Sequence, residues 1–142
     1  MKVIFDTNIF VSALRSNKGA SYAVISQLPS DQFRIALSIP LYAEYQEVLT
    51  RPEHMSGAST PEEILAFLRY ICSIAHRQQI FFLWRPWLSD PKDDMVLEVA
   101  IASQSRYIVT HNLRDFRGVE NHFGVMPVTP GKFLNIIRNR QS

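Results

Sequence analysis

Cysteine is almost missing: Cys72 is the single one in 142 residues, which excludes an internal disulfide and fits a reducing compartment. Its neighbours Ile71, Ile74 and Ala75 predict a packed core thiol rather than a nucleophile. No apolar run approaches the roughly 20 residues that a membrane helix requires. The chain enters its first apolar run at Lys2-Val3-Ile4-Phe5, which predicts no leader segment, no membrane partner and a cytoplasmic protein. No pair of histidines has zinc spacing, and no second cysteine exists to join them. GxxxxGKS/T and GxGxxG are absent, so a nucleotide cradle is not expected. No local signature pairs a serine or cysteine nucleophile with a base. Repeats, low-complexity tracts and linkers are missing too, so residues 1–142 read as one domain.

Charge of one sign is also scarce. The net charge is +2 and the pI about 8.9. Eleven of the fifteen cations are arginine, a side chain suited to forked contact with phosphate. Nucleic acid is therefore permitted, although a solvated surface accounts for the same numbers. What the chain does have is apolar material: 46% apolar against 20% charged residues, enough to build a core and unlike a disordered composition.

The apolar runs are short and fall between helical patterns. Val3-Ile4-Phe5 reads as a fully buried strand, followed by helical turns over 8–14 and 21–27 that Pro29 stops. Strands are predicted at 33–38, 107–110 and 124–128. Between them, helices open at Pro40, at Thr60-Pro61-Glu62-Glu63 with Thr60 as N-cap, at Asp90-Pro91-Lys92-Asp93 and at Pro130. Residues 54–59 read as a loop, and 80–84 as a strand or an extended crossing segment. Short apolar strands alternating with helices predict a mainly parallel sheet covered on both faces, a three-layer α/β/α sandwich.

In such a sheet, ligands sit beyond the carboxyl ends of the strands, where strand order reverses. Asp6 follows its strand directly, and Asn112 and Asp115 follow theirs closely, so neighbouring strands would place them on one rim. Asp93 falls at the third position of its helix, where the macrodipole favours an ionised carboxylate. It reads either as a plain cap or, beside Asp94, as one acid more than a cap needs. Glu44 lies at the edge of the apolar stripe Leu41, Tyr45, Val48 and Leu49, which is costly unless it reaches solvent, an arginine or a metal. Together these residues describe a pocket of oxygen donors suited to Mg²⁺ or Mn²⁺.

These residues resemble a known family. Val3-Ile4-Phe5-Asp6-Thr7-Asn8, Glu44 before Arg51-Pro52, Asp90-Pro91-Lys92-Asp93-Asp94 with Ala100, Tyr107 to Asn112 with Asp115-Phe116, and Val128-Thr129-Pro130 are similar to the PIN-domain nucleases. Within these they are most like the VapC-like toxins of bacterial toxin–antitoxin pairs. The resemblance implies Mg²⁺- or Mn²⁺-dependent cleavage of RNA by an activated water. Asp6, Glu44 and Asp93 match the family's first three acids. The fourth place is Asn112, a neutral amide, with Asp115 as the alternative source of a carboxylate. The resemblance thus makes Asp6, Glu44, Asp93 and Asp115 the catalytic acids and gives Asn112 as a further metal ligand. Asn8, Asp94 and Thr110 would support them, although Asn8 also reads as an N-cap.

Arg15, Arg85, Arg114 and Arg117 would position the RNA backbone. Trp84, Trp87 and Phe116 would stack on bases or else pack in the core or a dimer contact. The expected partners are RNA, a small antitoxin and a second copy of the chain. Two other readings stand beside this one. The first is a PIN-like module that binds RNA or protein without cutting. The second is a phosphoacceptor receiver domain, for which the acidic pair after the first strand and the aspartate after a central strand are lacking.

Overall fold

The computed structural model describes residues 1–54, 59–83 and 85–141. Five strands form one sheet: β1 (Lys2–Phe5), β2 (Arg34–Leu37), β3 (His76–Arg77), β4 (Tyr107–Val109) and β5 (Met126–Val128). Their spatial order is β3-β2-β1-β4-β5 and every pairing is parallel. Order therefore reverses between β1 and β4, the pair that the sequence reading needed as neighbours. The register sets Phe5 opposite Val109, and the Asp6 N–H continues the ladder to the Val109 carbonyl at 2.9 Å.

Among the described residues the helices are α1 (Thr7–Arg15), α2 (Ala20–Ile25), α3 (Ile39–Leu49), α4 (Pro61–Ile74), α5 (Pro91–Ala102), α6 (Val119–Phe123) and α7 (Pro130–Gln141). Short 3₁₀ turns lie at Pro52–His54 and Leu113–Phe116. Val3, Ile4 and Phe5 are all buried. Successive strand residues point to opposite faces, so both faces of the sheet are covered, as the three-layer reading expected. Phe5 packs with Phe10 of α1 at 6.0 Å, Phe33 at 6.2 Å and Phe133 of α7 at 6.4 Å between ring centroids. No helix among the described residues is long and apolar enough to cross a membrane.

The capping residues explain where the helices start. Thr60 accepts the Glu63 N–H at 3.2 Å with Pro61 in the first turn, as its spacing predicts. Ser38 caps α3 by accepting the Leu41 N–H at 3.2 Å, which starts that helix one residue before Pro40. The structure differs from the sequence reading at one edge of the sheet. The strand there is His76–Arg77, and 78–83 continue without regular structure. A strand of two residues carries too little periodicity to be read. The loop expected over 54–59 lies partly outside the described residues.

Candidate active site

Asp6 occupies the N-cap position of α1, yet its side chain makes no capping bond. Its Oδ2 accepts the Thr110 hydroxyl at 2.8 Å and the Asn8 amide at 3.3 Å. Asn8 Oδ1 accepts the His111 backbone N–H at 3.3 Å, and Thr110 Oγ1 accepts that of Asn112 at 3.0 Å. This net ties the end of β1 to the end of β4. Asn8 lies inside α1 and is not its N-cap, so its amide is spent on Asp6. Asp6 is 8% exposed. Burial pushes its pKa up, bonds from Thr110 and the Thr7 backbone pull it down, and Asp115 pushes it up again.

Asp93 stands at the third position of α5 as its spacing predicts, but Asp90 is the cap. The Asp90 carboxylate accepts the Lys92 N–H at 2.9 Å. Asp94 is buried and accepts the Leu88 N–H at 2.9 Å, pinning the preceding loop. Asp93 is left facing other acids. Burial, then Asp6, Asp115, Asp90 and Asp94, push it up to about 7. A carboxylate held this way gains from any cation that arrives.

Asp115 sits in the 3₁₀ turn after β4 and acts on both Asp6 and Asp93. It shares with Asp93 a cleft of about 490 Å³ lined by Trp87, Leu88, Ser89, Asp90, Arg114 and Arg117. Asn112 is exposed and borders a neighbouring hollow with His111 and Thr129. Glu44, with its side chain 13% exposed, leans inward as the helical wheel predicts and meets Lys92 Nζ at 3.6 Å. That contact sets α3 against the first turn of α5. The pairing partner is a lysine, where an arginine or solvent had been the alternatives to a metal.

The donors are all hard oxygens, which suits Mg²⁺ or Mn²⁺ in chemistry. Their spacing is looser: among the described residues no three His, Cys, Asp or Glu side chains stand close enough to close on an ion.

The arginines separate into two pairs. Arg114 and Arg117 line the acidic cleft. Arg85 does not: it forks onto Glu98, itself 3% exposed, at 3.0 and 2.9 Å, and serves to hold its own segment on α5. Arg15 is exposed at the far end of α1 from Asp6, roughly 14 Å away by helical rise, and lies 3.5 Å from His54. Arg85 is thus spent on the fold, while Arg15 stays exposed outside the cleft. Phe116 is fully buried and cannot stack on a base. Trp87 packs on His122 and Phe123 at 5.3 and 5.0 Å and borders the cleft, whereas Trp84 lies outside the described residues.

Sequence reasoning passed over Tyr45, Lys92 and His111. Tyr45 was assigned to the apolar stripe, but its hydroxyl donates to the Phe5 carbonyl. Burial, with Asp6 nearby, pushes it well above its ordinary range. Lys92 was legible as a lone cation inside an acidic run. His111 Nε2 lies 2.6 Å from Ser21 Oγ, a pairing 90 residues apart that no local pattern announces.

Residues 2–114 match the PIN domain family in sequence. No curated protein matches the chain. Among solved structures it is similar to VapBC-1 from nontypeable Haemophilus influenzae, with a TM-score of 0.63 and 17% identity over 92% of this chain and 99% of that one. It is also similar to VapBC2 from Rickettsia felis bound to a DNA fragment from their promoter, with a TM-score of 0.61 and 19% identity over 91% and 98%. At these identities the likeness carries the fold. The sequence match covers most of the chain, taking in Asp6, Glu44 and Asp93 and stopping one residue short of Asp115, and on that ground the chain belongs to the PIN-domain family.

Proposed function

We propose that residues 1–142 act as a single PIN domain with Mg²⁺- or Mn²⁺-dependent endoribonuclease activity, the cytoplasmic toxin of a bacterial toxin–antitoxin pair. The observation that carries this reading is that Asp6 and Asp115 follow β1 and β4, which end side by side, and that Asp115 shares a cleft with Asp93. Like charges placed near one another at a strand-order reversal are relieved by a bound cation, and a metal-dependent hydrolase site supplies that use.

Asp6, Glu44 and Asp93 would hold the ion, and Asp115, which shares the cleft of Asp93, is favoured over Asn112 as the fourth acid. When bound, Mg²⁺ or Mn²⁺ neutralises the acids and lowers the pKa of water near the phosphodiester. The chain supplies the rest. Thr110 and Asn8 orient Asp6, Asp94 fixes the loop before α5, and Arg114 and Arg117 receive the phosphate. In the hydrolysis a water oxygen bonds to phosphorus while the ribose oxygen departs and takes a proton. No side-chain nucleophile is required. The two VapBC structures support a small antitoxin as partner. By charge it would bring a basic side chain to the acidic cleft. A homodimer is part of the same reading.

The test is cleavage of a structured RNA pool by wild type, Asp6→Asn and Asp93→Asn, in Mg²⁺, Mn²⁺ or chelator. Metal-dependent cutting that drops about 100-fold or more in both variants is expected. Cutting that survives both substitutions sinks the mechanism. The amide at Asn112, with the open spacing of the acids, favours one alternative, a module that binds RNA or protein without turnover. Mn²⁺ calorimetry showing no heat with wild type would favour that alternative.

A further inference from the structure

The acids of this molecule gather at one end of the sheet, and a set of cations gathers at the other. Lys2 opens β1 and Arg34 opens β2, and the two are register partners. Arg106 stands one residue before β4, and its N–H donates to the Lys2 carbonyl at 2.8 Å. Adjacent strands lie about 4.8 Å apart, so these three positions span only about 10 Å. The last turn of α7 arrives at the same rim: Arg140 Nη1 reaches Met1 Sδ at 3.0 Å, and Arg138 shares that turn. Arg34, Arg106, Arg138 and Arg140 are exposed. Arg34 donates to the Ile74 and Ala75 carbonyls at 3.2 and 3.1 Å, which fixes its guanidinium beside the rim without cancelling its charge. Next to it opens a hollow of about 320 Å³ walled by Leu28, Pro29, Phe33 and Ile74, with Asp31 at its edge.

We propose that this rim, formed by Lys2, Arg34, Arg106 and Arg140, is a second docking surface for single-stranded RNA, at the opposite end of the strands from the cleft. The proposal rests on the ribonuclease reading above and assigns it a substrate contact. With Glu44 paired to Lys92, a polyanion approaching the cleft still meets the like charge of Asp6, Asp93 and Asp115, which Arg114 and Arg117 offset only in part. The cations that give net attraction are at the other end of the strands, about 13 Å from Asp6 for the four-residue β1. Because β1 is buried, the path between the two ends runs around the surface and is longer than that line; a strand of many nucleotides spans it and a dinucleotide does not. The hollow, part apolar and part polar with Ser30, Asp31 and Arg34 in its wall, gives an unpaired base a place beside the phosphate contacts.

The experiment is binding of a labelled 20-nucleotide unstructured RNA, in chelator so that nothing is cut, across a series of salt concentrations. Wild type is compared with the triple variant Lys2→Gln/Arg106→Gln/Arg140→Gln and with Arg106→Lys/Arg140→Lys, each checked by thermal unfolding. Each phosphate contact contributes about 0.7 to the slope of log affinity against log salt for single strands. The triple variant should therefore lose about 2 from that slope, and the charge-keeping variant should keep the wild-type value. Cleavage of a dinucleotide, too short to reach the rim, should not change in the triple variant. An unchanged slope in a folded triple variant overturns the proposal. So does wild type that ignores RNA but binds vesicles of phosphatidylglycerol and phosphatidylcholine. The two readings fail separately. Wild type that cuts RNA while the slope ignores the triple variant sinks the rim alone. Wild type that shows the slope change but never cuts sinks the nuclease reading alone.

Discussion

Thr110 is fully buried, and its one hydroxyl serves Asp6 as donor and Asn112 as acceptor. Thr110→Val keeps the shape and removes these bonds together with a longer one from the Asn8 amide at 3.5 Å. It should cost about 1–3 kcal/mol in urea unfolding, because the buried Asp6 carboxylate loses its shorter hydrogen bond, whereas Thr110→Ser should recover most of that. Asp93 makes a prediction of opposite sign. Its pKa lies near 7 in the fold, against about 3.9 in an unfolded chain. A raised pKa means that its contribution to stability is whole below about pH 4 and is lost as pH rises through 7. Asp93→Asn should therefore melt higher than wild type at pH 8, by about 4 °C for about 1 kcal/mol after discounting for a half-exposed group. At pH 4 the two should coincide. A difference that is the same at both pH values would remove Asp93 from the repelling cluster.

At the scale of elements, Arg85 separates two roles that the sequence could not. Its fork onto Glu98 links the 85–88 segment to α5. Arg85→Ala should destabilise the protein by about 1–3 kcal/mol and leave the salt dependence of RNA binding unchanged. A reduced slope would return Arg85 to the RNA surface. The elements that were legible are those whose signal is local. Thr60 and Asp90 announce their helices within four residues, and Val3-Ile4-Phe5 announces a strand covered on both faces. What was hidden depends on distance in sequence. β3 is a strand only because His76 and Arg77 lie beside Ala36 and Leu37. Arg85 looked like a free cation only because Glu98 stands a loop and two helical turns further on. Asp6, Glu44 and Asp93 were legible as acids out of place, and Asp115 as the companion of Asn112. Which of the last two faces Asp93 is decided by the 3₁₀ turn, which has no pattern of its own.

At the scale of the whole molecule, α7 lies beyond the stretch that matches the family, yet its Phe133 is buried against Phe33 at 5.0 Å and Tyr107 at 6.0 Å. Phe133→Ala should cost about 3–5 kcal/mol in chemical unfolding, while cleavage measured well below the melting transition should persist. A loss under about 1 kcal/mol would mean that α7 is an appendage to the core rather than part of it. The central pairing of β1 with β4 has a further consequence. The bond between Thr110 and Asp6 closes across 104 residues, and β1 cannot gain that neighbour until the later strand exists. At 5–20 residues added per second, a nascent chain carries Asp6 for roughly 5–20 s before the partner that orients it has been made. During synthesis the ribosome that builds this protein is next to an unfinished site, and the topology keeps that site apart until the chain is nearly made.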